Sequence, residues 1–364
     1  MFFVAQHSKT IAAACFVAVL FARANDRPYA IVPGIKVSPE VGIGVGAVAF
    51  HSALPEPGSR FDVKLLVTTR SQIDARIRHR NLNFLGSDWE LRGEAEALRF
   101  PDSYFGPGNS HDDSEETYYT PQGGRLGLEF LRPVKAFRFL LAGKVESFSI
   151  IDKRKANPDS VPQAVLVPGV LGYKGGTTDL WEAGIEYDTR DNLDVPKQGV
   201  YAGQRIGTSL AGEFQYQSFE TWVNGYYPLG EHWETSVRLW QKTLGGDPPF
   251  FVEPWLGDEN ILRGVNHKRF RDKSAQSAQA EVRFGFPLSL PLIDAWLGHE
   301  WQLATFAEAG RVGSDFVEAS QADMHYSGGV GGRLVIGKRL GVIRGDLAFS
   351  AYGFALIIDF NQAF

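Results

Sequence analysis

The feature that most constrains the fold of this chain is the alternation of apolar and charged residues along segments of about ten residues or more. In residues 181–190, WEAGIEYDTR, apolar side chains occupy one face and mostly charged side chains the other. Residues 353–364, GFALIIDFNQAF, repeat the alternation at the C-terminus. Successive side chains of a strand point to opposite faces, so this period predicts β-strands with one apolar face and one polar face.

The length of these segments argues against a soluble β-sandwich, because strands of soluble proteins average about five or six residues. The polar faces also carry charges of both signs, as in residues 73–80, IDARIRHR. A transmembrane barrel has this design, with apolar residues toward lipid, polar residues toward the lumen, and strands of about nine residues or more. The predicted fold class is therefore all-β, a transmembrane antiparallel β-barrel.

Sixteen candidate strands can be counted, an even number as in single-chain bacterial barrels. They are residues 31–38, 41–51, 61–71, 73–84, 88–100, 117–132, 136–148, 177–190, 199–211, 214–229, 233–244, 275–287, 299–309, 325–337, 341–350 and 353–364. With both ends in the periplasm, the short turns Gly86-Ser87, Arg132-Pro133 and Gly337-Lys338 are periplasmic. The long outer loops are then 101–116, 149–176, 245–274 and 310–324.

The N-terminus resembles a secretory signal. An apolar segment, 11–21, is too short to span a bilayer, and Ala22-Arg23-Ala24 matches a small-x-small cleavage site. The alternative is lipoprotein processing at Cys15. We expect residues 1–24 to be a cleaved signal peptide and residues 25–364 to be one barrel domain with no periplasmic domain. Export without a helical anchor predicts the outer membrane of a diderm bacterium.

Composition excludes several function classes. The formal charge of −5 gives no clustered basic surface for nucleic acid. One cysteine cannot build a disulfide framework, and the 8 histidines show neither zinc spacing nor a Ser-His-Asp set. The glycine clusters at 42–46 and 328–332 open no helix and are not phosphate loops. We therefore expect no catalytic residues, no metal and no cofactor, and the chain is not expected to be an enzyme.

Several motifs resemble, in their order and spacing, the bacterial surface antigen superfamily of outer-membrane assembly barrels typified by BamA and TamA. They are Tyr187-Asp188-Thr189-Arg190-Asp191-Asn192 followed by Pro196 and Gly199, Leu262-Arg263-Gly264-Val265, Ala280-Glu281-Val282-Arg283, and Phe306-Ala307-Glu308-Ala309-Gly310-Arg311-Val312. Residues 104–109, YFGPGN, are similar to a loop of the group that lacks periplasmic POTRA domains. The sequence departs from the family at Glu308, where Asp is usual, and at Val265, where an aromatic residue is usual.

The resemblance implies that the sixth outer loop folds into the lumen and that its arginine binds the barrel wall. The implied loop anchor comprises Arg263, Gly264, Glu281, Phe306 and Glu308. A guanidinium suits this role because its five fixed donors can fork onto carboxylates. The alternative is an arginine on the outer surface with solvated partners, which would contribute about 0–1 kcal/mol.

The implied function is insertion or translocation of proteins, or of lipid, at the outer membrane. The implied partners are outer-membrane lipid and lipopolysaccharide, with unfolded outer-membrane protein clients or a separate periplasmic partner. The alternative is a passive plugged channel or a structural barrel without insertase activity, because the fold alone does not fix the function.

Four further sets of residues each have two possible roles. The turn residues Asp188, Arg190, Asp191, Pro196 and Gly199 form a periplasmic docking point or only an Asx-type turn. Two charged stripes form a charged pathway or a cross-strand ladder; they are Arg76, Arg78 and Arg80 on one strand and Glu90, Glu94 and Glu96 on the next. Phe360 and Phe364 form a C-terminal assembly signal or simply end a strand in an aromatic belt. The acidic run 111–116 holds a divalent cation or is a solvated loop.

Overall fold

The structure is a computed structural model that describes residues 29–38, 42–54, 59–155, 166, 168–286, 288, 300–335, 342–360 and 363–364. The described residues form nineteen strands, three short 3-10 turns and one short helix, α1, at Phe316–Gln321. Among them, no helix is long and apolar enough to span a bilayer. The predicted signal peptide, residues 1–24, and the predicted turn Gly337-Lys338 lie outside the described residues.

The strands follow the chain in simple order. They are β1 Tyr29–Ser38, β2 Gly42–His51, β3 Ser59–Thr68, β4 Ile73–Asn81, β5 Glu90–Arg99, β6 Asp102–Tyr104, β7 Thr117–Val134, β8 Phe137–Lys155, β9 Gly175–Asp188, β10 Gly199–Thr208, β11 Tyr216–Pro228, β12 Trp233–Gly246, β13 Trp255–Leu256, β14 Phe270–Arg271, β15 Ser274–Phe286, β16 Glu300–Gly313, β17 His325–Val335, β18 Val342–Ser350 and β19 Gly353–Phe360. Sixteen of them are long, and each corresponds to one of the sixteen predicted segments.

The long strands form a single antiparallel sheet in which each strand pairs with the next along the chain, from β1 to β19. The short strand β6 continues the pairing of β5 along β7. The sheet curls so that distant strands meet inside it: Arg92 of β5 reaches Glu186 of β9, at 3.1 Å. The sheet is the wall of a β-barrel.

Burial in this barrel is the reverse of that in a soluble protein. Leu65, Leu141 and Leu239 are at least half exposed, on the outer face. Arg283 and Arg333 are 1% exposed, on the inner face. This distribution places apolar side chains toward lipid and charged side chains in the lumen, as the alternation predicts.

The structure corrects two boundaries. Arg132 and Pro133 are predicted as a turn but belong to β7, which ends one residue later at Val134. The turn follows at Lys135, whose φ is +57°. Strand β8 was predicted to end at 148 but continues to Lys155, where it still pairs with β7. The third outer loop, residues 100–116, and the sixth outer loop, residues 247–273, lie between the strand ends.

Candidate functional site

The sixth outer loop is a folded hairpin. Its two arms pair through β13 and β14, where Leu256 lies opposite Phe270. At the tip, Asp258 Oδ1 accepts hydrogen bonds from the backbone N–H groups of Asn260 and Ile261, at 2.6 and 2.7 Å. These bonds form an Asx-type turn, which orders the tip without regular secondary structure.

The tip presents Arg263 to the lumen wall. The arginine is fully buried and donates from Nε to Glu308 Oε1 at 2.8 Å, from Nη1 to Asp346 Oδ2 at 2.7 Å, and from Nη2 to Glu281 Oε2 at 3.2 Å. Its backbone N–H donates to Glu308 Oε2 at 2.6 Å. The guanidinium carbon lies 3.5 Å from the centre of the Phe306 ring, a cation–π contact.

Two of the three carboxylates that receive Arg263 also bind arginines of the wall, whereas Glu308 also accepts from Gln279 at 2.8 Å and from Ser327 at 3.2 Å. Glu281 accepts from Arg283 at 2.7 Å and from Arg333 at 3.0 Å. Asp346 accepts from Arg333 at 2.5 Å and from Arg344 at 2.8 Å. We call Arg263, Glu281, Glu308, Asp346, Arg283, Arg333 and Arg344 the sealed network. All its side chains are at most 3% exposed.

Removal of one partner from such a network is costly because it leaves a buried charge unpaired. The network has four arginines against three carboxylates, and two further carboxylates meet its edges: Glu234 lies 3.5 Å from Arg283, and Asp359 lies 2.9 Å from Arg344. The charges of opposite sign are thus matched locally. Arg263 joins the loop to β15, β16 and β18 at once.

Gly264, the residue after Arg263, lies close to the backbone of β18. Its φ is +86°, and a Cβ built on it would lie 3.0 Å from the carbonyl carbon of Ala348 in β18. The Ser350 hydroxyl donates to the Gly264 carbonyl at 2.7 Å. Both the backbone conformation and the space therefore favour glycine at this position.

The third outer loop packs against the sixth. Asp102 binds Lys268 and lies 3.2 Å from His267. Asp113 binds Arg269. The Gly108 N–H donates to the Arg271 carbonyl at 2.8 Å. The two loops therefore form one packed layer at the outer end of the lumen.

Asn109, from the YFGPGN segment of the third loop, ties this layer to the next strands. It accepts from the Val312 N–H at 2.8 Å, and its carbonyl lies 2.9 Å from His325 Nε2. The His325 ring stacks on Phe270 of the sixth loop, with 3.8 Å between ring centres. Asn109 of the third loop therefore contacts β16 and β17.

Glu253, in the sixth loop, is a carboxylic acid whose pKa is raised by burial. Its side chain is buried, one of its carboxylate oxygens has no hydrogen-bond partner, and burial raises its pKa to about 7. Arg271 opposes this shift, and Asp272 adds to it. The group is therefore close to its titration point at neutral pH.

The structure brings together the five residues implied as the loop anchor, namely Arg263, Gly264, Glu281, Phe306 and Glu308. It adds three charged residues that the implied loop anchor did not include: Arg333, Arg344 and Asp346. The alternation in residues 342–350, VIRGDLAFS, already places Arg344 and Asp346 on the same face. That signal was available, but it does not show which inward charges meet.

The predicted turn motif adopts Asx-type geometry. Asp188 accepts from Arg190 at 2.7 Å and from Arg138 at 2.5 Å. Asp191 Oδ1 accepts from the N–H groups of residues 197 and 198, at 3.0 and 3.1 Å. A Cβ at Gly199, whose φ is +113°, would lie 2.4 Å from the carbonyl oxygen of residue 189. Pro196 is buried.

The charged stripes of β4 and β5 pair across the two strands in part. Arg76 meets Glu96 at 2.6 Å, and Arg78 meets Glu94 at 2.7 Å. Arg80 lies opposite Arg92 instead of a carboxylate. Its guanidinium binds Asp194 of a periplasmic turn, at 3.2 Å. Glu90, the third acidic residue, binds Arg92 at 2.8 Å.

Three residues of these stripes, Arg78, Arg80 and Glu94, line a lumenal cavity of about 480 Å³. The cavity has basic and acidic residues from β3 to β12 on its walls, including Arg78, Glu94, Arg205 and Lys242. It therefore offers a polar, mixed-charge space in the lumen.

The remaining predicted groups have simpler surroundings. Asp112 caps the 3-10 turn Asp113–Glu115, and among the described residues no cluster of His, Cys, Asp and Glu could hold a metal ion. Phe360 ends β19, and Phe364 is half-buried. The assembly-signal role of Phe360 and Phe364 stays a prediction.

A family model described as the Omp85 superfamily domain matches residues 57–353. Among solved structures, the chain is similar to BamA from Haemophilus ducreyi lacking POTRA domains 1–3, at 13% identity and a TM-score of 0.56, over 97% of this chain and 74% of that one. It is also similar to CdiB from Acinetobacter baumannii, at 12% identity and a TM-score of 0.48, over 90% of this chain and 54% of that one. No curated protein matches the chain.

Proposed function

The chain belongs to the Omp85 superfamily of outer-membrane β-barrels, and from that premise we propose that it inserts or translocates proteins, or lipid, at the outer membrane. The observation that supports this proposal is the sixth loop, which is held inside the barrel by Arg263 instead of lying at the surface. A loop of this length costs conformational entropy to order. Its ordering by a fully buried network indicates that the loop position matters for function.

In the proposed mechanism, the sixth loop holds the C-terminal wall in one geometry while the other end of the sheet yields. Arg263 contacts β15, β16 and β18, so it fixes these strands relative to one another. A client strand would add at the junction of β1 and β19, where backbone hydrogen bonds supply the affinity. An unpaired edge in lipid is costly, so the junction opens only transiently or with a client strand bound.

The residues of β2 suit such a junction. Gly42, Gly44 and Gly46 occur in one short stretch of this strand. A Cβ at Gly46 would lie 2.3 Å from the Leu65 carbonyl oxygen of β3. Glycine in a strand weakens side-chain packing and permits close backbone approach. In the proposed mechanism, these glycines support a weak N-terminal end of the sheet.

A second candidate function is a passive plugged channel, and the lumenal cavity of about 480 Å³ favours it. The mixed charges on its walls suit ions of either sign. In this alternative, the sixth loop is a plug and the barrel has no insertase activity. Neither candidate requires an enzymatic reaction or a cofactor.

The proposed partners follow from the location. The apolar outer face contacts outer-membrane lipid, and the outer loops meet lipopolysaccharide. The clients would be unfolded outer-membrane proteins. The periplasmic turns would receive a separate periplasmic partner.

A folding assay in liposomes tests the proposal. An unfolded small barrel protein is added to liposomes that contain the wild-type chain, Arg263→Ala or Arg78→Ala, and folding is followed by gel mobility. Arg78→Ala is the matched control, because it removes a lumenal arginine that is half exposed and lies outside the sixth loop. We expect folding faster than in empty liposomes with wild type and Arg78→Ala, and slower folding with Arg263→Ala. A wild-type rate equal to that of empty liposomes would favour the channel.

A further inference from the structure

We propose that residues 189–198, the turn between β9 and β10, form a clasp across the periplasmic mouth of the barrel. The clasp contacts β3 and β4 on one side of the mouth and β16, β17 and β18 on the other. It therefore ties together two parts of the wall that are far apart along the sheet. This inference goes beyond the proposed function and holds for an insertase and for a channel alike.

The first contact of the clasp is ionic. Asp194 lies 2.9 Å from Arg60 Nη1 of β3 and 3.2 Å from Arg80 Nη2 of β4. Arg60 and Arg80 lie opposite each other in the strand register, so one carboxylate binds two neighbouring guanidiniums. The Asp194 side chain is 16% exposed, which limits screening of these charges by water.

The second contact is on the opposite side and is mainly apolar. Val195 packs in a buried cluster with Val335, at the end of β17, and Val342, at the start of β18. Next to it, Lys197 Nζ lies 2.5 Å from Glu300 Oε1, at the start of β16. Two successive residues, Asp194 and Val195, thus reach opposite sides of the mouth.

The geometry of the sheet shows that these contacts cross the lumen. Strands β8, β7 and β5 separate β9 from β4 in the pairing order. At roughly 4.8 Å between neighbouring strands, β9 and β4 are about 19 Å apart along the wall. Strands β11, β12 and β15 likewise separate β10 from β16. A turn of ten residues reaches both sides only by passing across the opening.

The clasp is held in shape by its own side chains. Asn192 Oδ1 accepts from the N–H groups of Asp194 and Val195, at 2.8 and 2.9 Å. These bonds orient the two residues that make the opposite contacts. The Arg190 guanidinium lies 4.1 Å from the centre of the Tyr201 ring, which fixes the base of the turn on β10. These contacts order the backbone of the clasp.

The position of the clasp affects both the lumenal cavity and the two ends of the sheet. Arg60, Arg80 and Asp194 line the lumenal cavity, so the clasp forms part of its periplasmic boundary. The strands that it joins also lie near the two ends of the sheet, since β3 is separated from β1 by β2 alone and β18 pairs with β19. Widening of the mouth, or separation of the two ends of the sheet, requires the clasp to release at least one of its contacts.

Cross-linking tests whether the clasp spans the mouth in the membrane. In a Cys15→Ser background, Val195→Cys and Val342→Cys are combined, and the folded protein in proteoliposomes is treated with a short bismaleimide. We expect an intramolecular cross-link in most molecules. Failure to cross-link, in protein whose heat-modifiable gel mobility shows a folded barrel, would overturn the proposal.

Labelling tests whether the clasp restricts the mouth. Ala142→Cys places a thiol on the cavity wall without removing a charge, and a bulky maleimide reagent is added from the periplasmic side. We expect Asp194→Asn to raise the labelling rate about tenfold, and the Val195–Val342 cross-link to reverse the increase. The matched control is Glu94→Gln, which removes a cavity carboxylate outside the clasp and should leave the rate unchanged. An equal rate in wild type and Asp194→Asn, or a labelling rate that the cross-link does not lower, would overturn the proposal.

Discussion

On the wall formed by β15, β16 and β18, Arg263 and its carboxylate partners are fully buried, with 0% of each side chain exposed. On the wall formed by β4 and β5, the Arg78 and Glu94 side chains are 52% and 32% exposed. The distances do not distinguish the two sites. Arg263 lies 2.8 Å from Glu308, and Arg78 lies 2.7 Å from Glu94.

The difference between these regions is the sixth outer loop, which lies against one wall and excludes water from it. A buried ion pair is costly to break because a charge remains without solvent or partner, whereas an exposed pair exchanges its partner for water at little cost. The same residue types therefore fix the loop on one wall and give a hydrated cavity on the other. Burial, and not bond length, decides which arginine is structurally essential.

The largest effect is expected for Arg263→Ala. The substitution leaves Glu281, Glu308 and Asp346 buried with one cation fewer, which costs about 3–5 kcal/mol in loop packing. We expect the barrel to stay membrane-inserted while residues 247–273 become sensitive to protease. Limited proteolysis in proteoliposomes, with heat-modifiable gel mobility as the folding control, measures both effects.

The lysine variant refines this prediction. Arg263→Lys keeps the charge but loses the planar fork that reaches three carboxylates at once. We expect proteolysis of the loop at a rate between those of wild type and Arg263→Ala. Unchanged protease resistance in Arg263→Ala would contradict the loop anchor and would make the sealed wall equivalent to the hydrated one.

A pH dependence of the sixth loop is the next largest effect. Burial raises the pKa of Glu253 from 4.5 to about 7. Between pH 4.5 and pH 7, Glu253 is deprotonated when the loop is released but stays protonated when the loop is packed. Packing of the loop therefore weakens as the pH rises from 4.5 to 7 and does not change further above pH 7. The shift corresponds to a loss of at most about 3 kcal/mol.

Hydrogen exchange of residues 247–273 at pH 5 and pH 8 measures this dependence. We expect faster exchange at pH 8 in the wild type, after correction for intrinsic rates. Glu253→Gln should make the corrected rates equal, because the amide does not titrate. A pH dependence that survives this substitution would assign the effect to another group.

The barrel could be predicted from the sequence because lipid imposes a two-residue period on every spanning strand. The prediction of a transmembrane all-β barrel is confirmed, and the sixteen predicted segments all correspond to long strands. Boundaries were less accurate where this constraint ends. β8 continues to Lys155, beyond its predicted end, because backbone pairing with β7 persists without the need for alternation.

The candidate site could be predicted only in part. The motif order indicated Arg263, Glu281 and Glu308, which the structure places in contact. Alternation shows that a residue faces the lumen, but it does not show which lumenal residues meet. Asp346 and Asp194 were therefore missed as partners: the first meets a loop, and the second crosses the mouth from another part of the wall.

Gly264→Ala is expected to have a smaller effect on the sealed wall than loss of Arg263. The methyl group would approach the backbone of Ala348 to about 3.0 Å, in a left-handed conformation that L-residues adopt with strain. This conformation costs about 1–2 kcal/mol in loop packing. Limited proteolysis of the loop should show partial loosening, and Gly245→Ala, a substitution that meets only a flexible glutamine side chain, is the control.

The smallest effect is expected for the exposed pair Arg78 and Glu94, and it is the sharpest test of the comparison. A double-mutant cycle with Arg78→Ala and Glu94→Ala, measured by urea unfolding in lipid vesicles, should give a coupling energy of about 0–1 kcal/mol. The coupling should fall further in high salt, since water and ions reach both side chains. The corresponding cycle for Arg263 and Glu308 should give a larger coupling that salt hardly changes. Equal couplings at the two sites would show that the loop does not seal its wall and that burial is not what separates the two regions.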